Sequence, residues 1–555
     1  MPTPQPPQRF GALDAVFLNF ERKEMPLHIG GAMIFEGVVP FDRFVATIES
    51  KLDLIPRYRQ KVMRPFLNIG FPTWHYDPDF DIRRHIFHLK LDAPGTDEEL
   101  RQLTGRIFTP LLDREKPLWE VYIVDGLTGG RSAMITKVHH CMVDGVAGIG
   151  LLNTILDPSP DERRLPRRKP YHPPKPPDAV MQFLDALTDS VAQIPKRVQS
   201  VRDDMLGYGA LLLEDDVTRL GVQRLVDMSP ELMVPMEKLP FNRPCSGERQ
   251  VYWSEFPFAE ARAIRTTCGV TVNDAVLGVV AGAVARYVEL HGQTVKNRFF
   301  RAMVPVNLRD PHDAPGAVGN RISLLPVVLP LGIRDPVARL RHIHAQTEAM
   351  KGARMADLVR MGIAWLGILP ATVQTWLADN LGWVNTLIPI FHMVCTNVPG
   401  PQIPLYTCGK RMLTCYPHVP TGMDVGISVA IESYDQKVYF ALTTDMLAAP
   451  DGGRMKEFLE ASFVELRKAA KVPATAPHVT RTRVPRPPKP KAKARKAPVA
   501  RRKPKAGPAI PAAAPEAAPI APMPAAYEPP GSAPVEEEAL EDATLALEEE
   551  LELVH

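Results

Sequence analysis

The chain has 555 residues, 66 Lys+Arg against 63 Asp+Glu, and a formal net charge of +3. That length suggests roughly two to four domains, and 45% hydrophobic with 23% charged residues excludes a chain disordered throughout. Near-neutrality argues against nucleic-acid binding by the whole surface, while proline stands out at 58 residues against a usual share of about 5%.

The N-terminus carries no basic n-region and no apolar h-region, so no secretory signal is expected. The six cysteines form no CxxC pair and read as free thiols in a reducing, cytoplasmic compartment. Leu27–Glu36, Trp119–Val124 and Ser132–Val138 read as strands, and Val146–Leu156 as a helix. Pro158–Pro177 then packs eight prolines into twenty residues, with Arg163, Arg164, Arg167, Arg168 and Lys169 among them. Proline lacks the N–H and fixes φ, so this stretch reads as an extended linker over 158–178. It divides residues 1–157 from a second part, 179–470.

Ala179–Leu232 is largely helical by periodicity, and Val272–Leu290 is a strong helix. Arg249–Phe258, Phe299–Val306 and Ile322–Leu329 read as strands. Met361–Ala378 and Asn380–Gly409 contain no charged side chain but are interrupted by Pro370, Pro389 and Pro399. They read as buried core, with a lipid-contacting surface as the alternative and a true span as the least supported reading. Asp424–Glu432 and Gln436–Thr443 read as a strand pair around Ser-Tyr-Asp. The class is α/β.

The tail, 471–555, carries thirteen Lys/Arg over Lys471–Ile510 and then eleven Asp/Glu over Pro511–His555. Such a Pro/Ala/Lys composition buries too little apolar surface to offset its ordering entropy, so disorder is expected. Val535–Val554 could add a short acidic amphipathic helix. The basic part reads first as a solvated linker. Its alternatives are anionic lipid and weak, salt-sensitive nucleic-acid binding.

Chemistry concentrates in His139-His140-Cys141-Met142-Val143-Asp144-Gly145, which follows a strand and opens a helix. Two His and an Asp at a strand end suit catalysis in an α/β protein. Asp144 also sits where a helix cap would, and Gly145 permits a close turn. A Gly-x-Ser-x-Gly nucleophile elbow is absent.

With this HHxxxDG motif, the chain resembles the bacterial wax ester synthase/acyl-CoA:diacylglycerol acyltransferase family over roughly Phe10 to Ala470. The same resemblance rests on Leu13–Leu18, Met25–Gly31 and the Pro117-Leu118-Trp119 block. It rests also on Asn273-Asp274, Val304–Arg309, Gly319–Ser323 and Thr396–Pro401. The resemblance implies two chloramphenicol-acetyltransferase-like subdomains around a central channel. It implies acyl transfer from acyl-CoA, as substrate, to diacylglycerol or a long-chain alcohol, with no metal or bound cofactor.

On that resemblance His140 is the general base, since imidazole titrates near neutrality. His139 orients the loop, Asp144 supports the motif structurally, and Gly145 leaves room for substrate. Asn273 and Asp274 are either site residues, with Asn273 facing the oxyanion, or a helix cap built with Thr271. Trp119 is expected in the scaffold, and Cys141 beside the base is not expected to act as a nucleophile. The implied location is peripheral, on membrane or lipid inclusions. Two other readings stay open: condensation with a carrier protein, whose domains share the motif, and a non-catalytic lipid-surface protein.

Overall fold

The computed structural model describes residues 8–64, 72–143, 145–161, 171, 173, 179–227, 237–307, 322–369, 373–374, 376–377, 380 and 391–475. Asp144, most of the 158–178 linker, the Arg309 and Gly319–Arg321 positions and the tail beyond Thr475 lie outside them, as does the helix expected over Val535–Val554.

The strands in chain order are β1 (Gln8–Arg9), β2 (His28–Phe35), β3 (Gln60–Met63), β4 (Thr73–Tyr76) and β5 (Ile86–Lys90). Next come β6 (Trp119–Leu127), β7 (Arg131–His139), β8 (Arg249–Pro257), β9 (Phe299–Asn307) and β10 (Ile322–Pro330). The last are β11 (Met393–Pro399), β12 (Tyr406–Thr407), β13 (Lys410–His418), β14 (Ile427–Tyr434) and β15 (Lys437–Asp445). The helices are α1 (Ala12–Phe20), α2 (Phe41–Lys51), α3 (Asp97–Phe108), α4 (Gly145–Ile155), α5 (Ala179–Glu214) and α6 (Asp216–Asp227). They continue as α7 (Phe258–Cys268), α8 (Val272–Leu290), α9 (Pro336–Gly352), α10 (Met355–Ile368) and α11 (Gly452–Ala469).

Two six-stranded sheets carry this mixed α/β fold. One has the order β12-β13-β2-β7-β6-β5 and the other β10-β9-β11-β14-β15-β8. A small sheet, β1-β4-β3, stands beside them. In the first large sheet β7 lies between β2 and β6, antiparallel to both. Seven of its nine positions are buried, with Arg131 and Thr136 half-buried. A strand covered on both faces reads in this continuous way rather than alternating.

Strand β13 comes from the second half of the chain yet pairs with β2 of the first sheet, His418 opposite Gly30 and Cys415 opposite Met33. The two sheets are thereby stitched by the chain itself. Glycines let β2 lie close to both neighbours: a Cβ on Gly30 would fall 1.9 Å from the Thr136 carbonyl oxygen of β7, and one on Gly31 2.6 Å from that of Tyr416 on β13.

Helix α8 covers the second sheet and is apolar nearly all round because α9 and α11 close over it. A Cβ on Gly282 would lie 2.7 Å from Arg339 Nη2 and 2.9 Å from Ser462 Oγ, so these helices meet at small residues. Over the described residues 179–227 the expected Ala179–Leu232 helix runs as α5 and α6, broken at Asp215, whose carboxylate accepts from the Val217 and Thr218 N–H groups; 228–232 lie outside the described residues. The expected strand from Asp424 begins instead at Ile427, because Gly422 and Val425 exchange backbone hydrogen bonds in a turn. The following hairpin turns at Asp435 and Gln436, both with positive φ, as a tight hairpin requires.

Among the described residues no single helix is long and apolar enough to cross a membrane. The bent pair α7 and α8 passes on composition, but its apolar side chains belong to the core of the second sheet. The two uncharged stretches divide between burial and exposure. Strand β11 is inside its sheet, whereas Trp365 and Trp376 are 46% and 61% exposed.

Candidate active site

Strand β7 ends at His139, and a tight turn closed by Met142 N–H donating to the His139 carbonyl leads to α4. The His139 N–H donates to the Leu118 carbonyl and the His140 N–H to that of Leu27. The two imidazoles therefore sit at a fixed strand end and take different surroundings.

His139 is fully buried. Its Nδ1 accepts from the Cys141 N–H at 3.0 Å, so Nε2 carries the ring N–H. That Nε2 faces Glu21 Oε2 at 3.3 Å. Glu21, just after α1, is a hub: His28 Nε2 lies 3.3 Å from Oε1, the Leu27 N–H donates to Oε1 at 3.2 Å, and Arg114 Nη2 donates to Oε2 at 2.9 Å. Burial pushes the Glu21 carboxyl up, but His139 and His28 outweigh it and hold the group well below the usual carboxylate range. Burial also drives His28 down to about 4, so it stands neutral.

His140 points elsewhere. Its ring is half-buried and stacks on Phe17 of α1, with centroids 4.1 Å apart. It lines a cavity of about 310 Å³ between the two large sheets. One wall comes from β2, β7, α4 and β13, through residues such as Gly31, Val138, Leu152 and Cys415. The other comes from β9, β11 and β14, through Pro305, Thr396, Asn397 and Glu432. The lining is mostly apolar with few polar groups, the usual make-up of a small-molecule site. A neutral imidazole there can take a proton from a hydroxyl placed in the cavity.

The remaining candidates separate. Asp274 is completely buried and caps α8 reciprocally with Thr271: its Oδ2 accepts from the Thr271 N–H at 2.9 Å, and Thr271 Oγ accepts from the Asp274 N–H at 3.1 Å. His344 and Thr347 also hydrogen-bond its carboxylate, so both oxygens have partners within the fold. Asn273 accepts from Asn397 Nδ2 at 3.3 Å, and Asn397 lines the cavity. The capping alternative therefore describes Asp274, while Asn273 sits one hydrogen bond from the cavity wall. Gly145 begins α4, and Asp144 is outside the described residues.

Cys141 is buried, and burial raises its thiol well above the usual range, which removes the thiolate a nucleophile needs. Trp119 is buried, donates from Nε1 to the Tyr58 carbonyl at 2.8 Å and stacks on His85, as a scaffold residue does. Sequence reasoning missed Glu21, His28, Arg114, Asn397 and Glu432 as site residues. The first three had a usable signal: ionisable side chains inside or beside apolar blocks already singled out.

Comparison with known proteins follows the same outline. The catalytic-domain model of wax ester synthase/diacylglycerol acyltransferase matches residues 10–276, and the corresponding C-terminal model matches 318–467. A probable diacylglycerol O-acyltransferase of Mycobacterium tuberculosis, tgs2, is 31% identical over 474 residues, covering 82% of this chain and 98% of that protein. A second from that organism, tgs1, is 28% identical over 470 residues, covering 83% and 96%. The structure of the wax ester synthase/diacylglycerol acyltransferase from Marinobacter aquaeolei VT8 superimposes with a TM-score of 0.57 at 24% identity, covering 84% of this chain and all of that one. The first condensation domain of the CDA synthetase gives 0.51 at 15% identity, covering 84% and 97%. These two structures share the fold.

Proposed function

This chain belongs to the wax ester synthase/diacylglycerol acyltransferase family, and from that premise we propose that it moves a long-chain acyl group from acyl-CoA to the hydroxyl of diacylglycerol, and also to long-chain alcohols, with His140 as general base. The observation that carries this reading is the different surroundings of the two histidines. His139 is buried with its Nε2 3.3 Å from the Glu21 carboxylate, while His140 faces an apolar cavity walled by both sheets.

An alcohol is a poor nucleophile at neutral pH. His140 takes its proton as the oxygen attacks the thioester carbonyl. The C–S bond then breaks, and the departing thiolate takes the proton from His140 or leaves as the anion. The thioester is already activated, so no covalent enzyme intermediate is needed, in keeping with the inert Cys141. The Asn397–Asn273 amide pair is the candidate for hydrogen bonding the oxyanion. Asp144 and Gly145 keep their supporting roles in the motif. Residues 1–157 and 179–470 act as the two halves, with 158–178 as the crossover.

A lipid surface is the fitting source of the acceptor. Met205, Leu206 and Leu213 of α5, Val217 and Leu220 of α6, Trp365 of α10 and the nearby Trp376 expose apolar side chains, and α5 packs against both α6 and α10. Exposed apolar side chains on neighbouring helices support peripheral docking on membrane or lipid inclusions. Labelled acyl-CoA supplied with diacylglycerol and a long-chain alcohol together, followed by product analysis, tests the reading. Labelled triacylglycerol with some wax ester is expected. Label that stays in acyl-CoA, or passes only to a carrier protein, would overturn it.

A further inference from the structure

The cavity contains an ionisable side chain that the reaction above does not use. Glu432 lies on β14, on the wall contributed by the second sheet, and is 6% exposed. β14 runs between β11 and β15, with Glu432 opposite Val398 and Tyr439. The Cys415 thiol, a weak donor, reaches Glu432 Oε1 at 3.6 Å. No Lys or Arg is among the described residues lining the cavity. A Cβ on Gly400 would fall 2.9 Å from Oε1, so the glycine leaves the carboxyl its room.

A carboxyl in so apolar a setting is costly unless something hydrogen-bonds it. Burial pushes Glu432 up to about 8. At neutral pH it is therefore an uncharged acid with an O–H to donate, and a polar group of this kind fixes the orientation of a ligand in an apolar pocket.

The substrates differ in what they offer to that donor. The thioester carbonyl is committed to the reacting centre, and the acceptor hydroxyl to His140. Diacylglycerol brings two further ester carbonyls a few bonds from its hydroxyl, whereas a plain long-chain alcohol brings none. We infer that Glu432 is a specificity-determining residue that donates a hydrogen bond to an ester carbonyl of the acceptor and so favours diacylglycerol over a plain alcohol. This rests on the function proposed above and refines its acceptor choice.

The test is a competition assay on the purified full chain, with one acyl-CoA and equal 1,2-diacylglycerol and hexadecanol. The triacylglycerol-to-wax-ester ratio is read for wild type, Glu432→Leu, Glu432→Met and Glu432→Gln. Leu and Met should lower the ratio about tenfold, mainly through a raised KM for diacylglycerol, while hexadecanol turnover persists. Gln, whose amide still donates, should stay within about threefold of wild type. Melting temperatures at or above that of wild type exclude a folding defect, and the near-isosteric Met variant covers the case in which Leu fails to fold. A ratio unchanged in Leu and Met, or equal loss of both products, overturns the inference while the proposed function stands. A wild-type chain that acylates neither acceptor overturns the proposed function itself.

Discussion

Replacing Glu21 by Ala removes the carboxylate on which the loop before the His pair is fastened. Arg114, the Leu27 N–H, His28 and His139 all lose the same partner, within 2.9–3.3 Å of it. Removing one member of a buried, hydrogen-bonded charge pair costs roughly 3–5 kcal/mol. The Arg114 side chain is 34% exposed and can be rehydrated, which places this case at the lower end, at about 3 kcal/mol. Glu21→Gln keeps an acceptor and should cost less. The sign with pH follows from the lowered carboxyl: its stabilisation is complete above the unfolded value of 4.5 and is lost as pH falls below that. Urea denaturation at pH 7 should show the Ala variant less stable by that amount, with the difference shrinking as pH falls below 4.5. Activity should fall along with it, since the Leu27 carbonyl that holds His140 belongs to the same loop. An Ala variant as stable as wild type at pH 7, with full activity, would refute the reasoning.

Cys141→Ala should retain activity within about threefold, and the native thiol should resist iodoacetamide at pH 8, because burial keeps it protonated. Rapid alkylation of Cys141 with loss of activity, located by peptide mapping, would contradict this. Glu432→Gln should gain stability relative to wild type as pH rises. The wild-type carboxyl is raised to about 8 when folded, so its ionisation opposes folding between the unfolded value of 4.5 and that pH. The gain is at most roughly 4–5 kcal/mol. Unfolding free energies of the two proteins that stay parallel between pH 5 and pH 9 would refute it.

The sequence made the helix at Val272–Leu290 and the strand before His139 legible, since both rest on local periodicity and a capping pattern. The His pair was legible as a motif at the end of its strand. The crossing of β13 into the first sheet was not legible, because pairing with β2 joins residues almost 400 positions apart and leaves no local trace. The same reason hid Glu432 and Asn397. Each sits in a strand that reads as ordinary core, and only the meeting of the two sheets turns it toward the cavity. Asn273 and Asp274 show a subtler limit: two adjacent residues held a cap and a cavity neighbour, and only their hydrogen bonds separate them.

The most direct test compares coenzyme A release from acyl-CoA and diacylglycerol by wild type and His140→Ala, at matched melting temperatures. A general base contributes about 10²–10⁴-fold, so release by the variant should fall at least a hundredfold while Glu21 and His139 keep the loop folded. Release at the wild-type rate by a folded His140→Ala chain would contradict the assignment of His140 as the base.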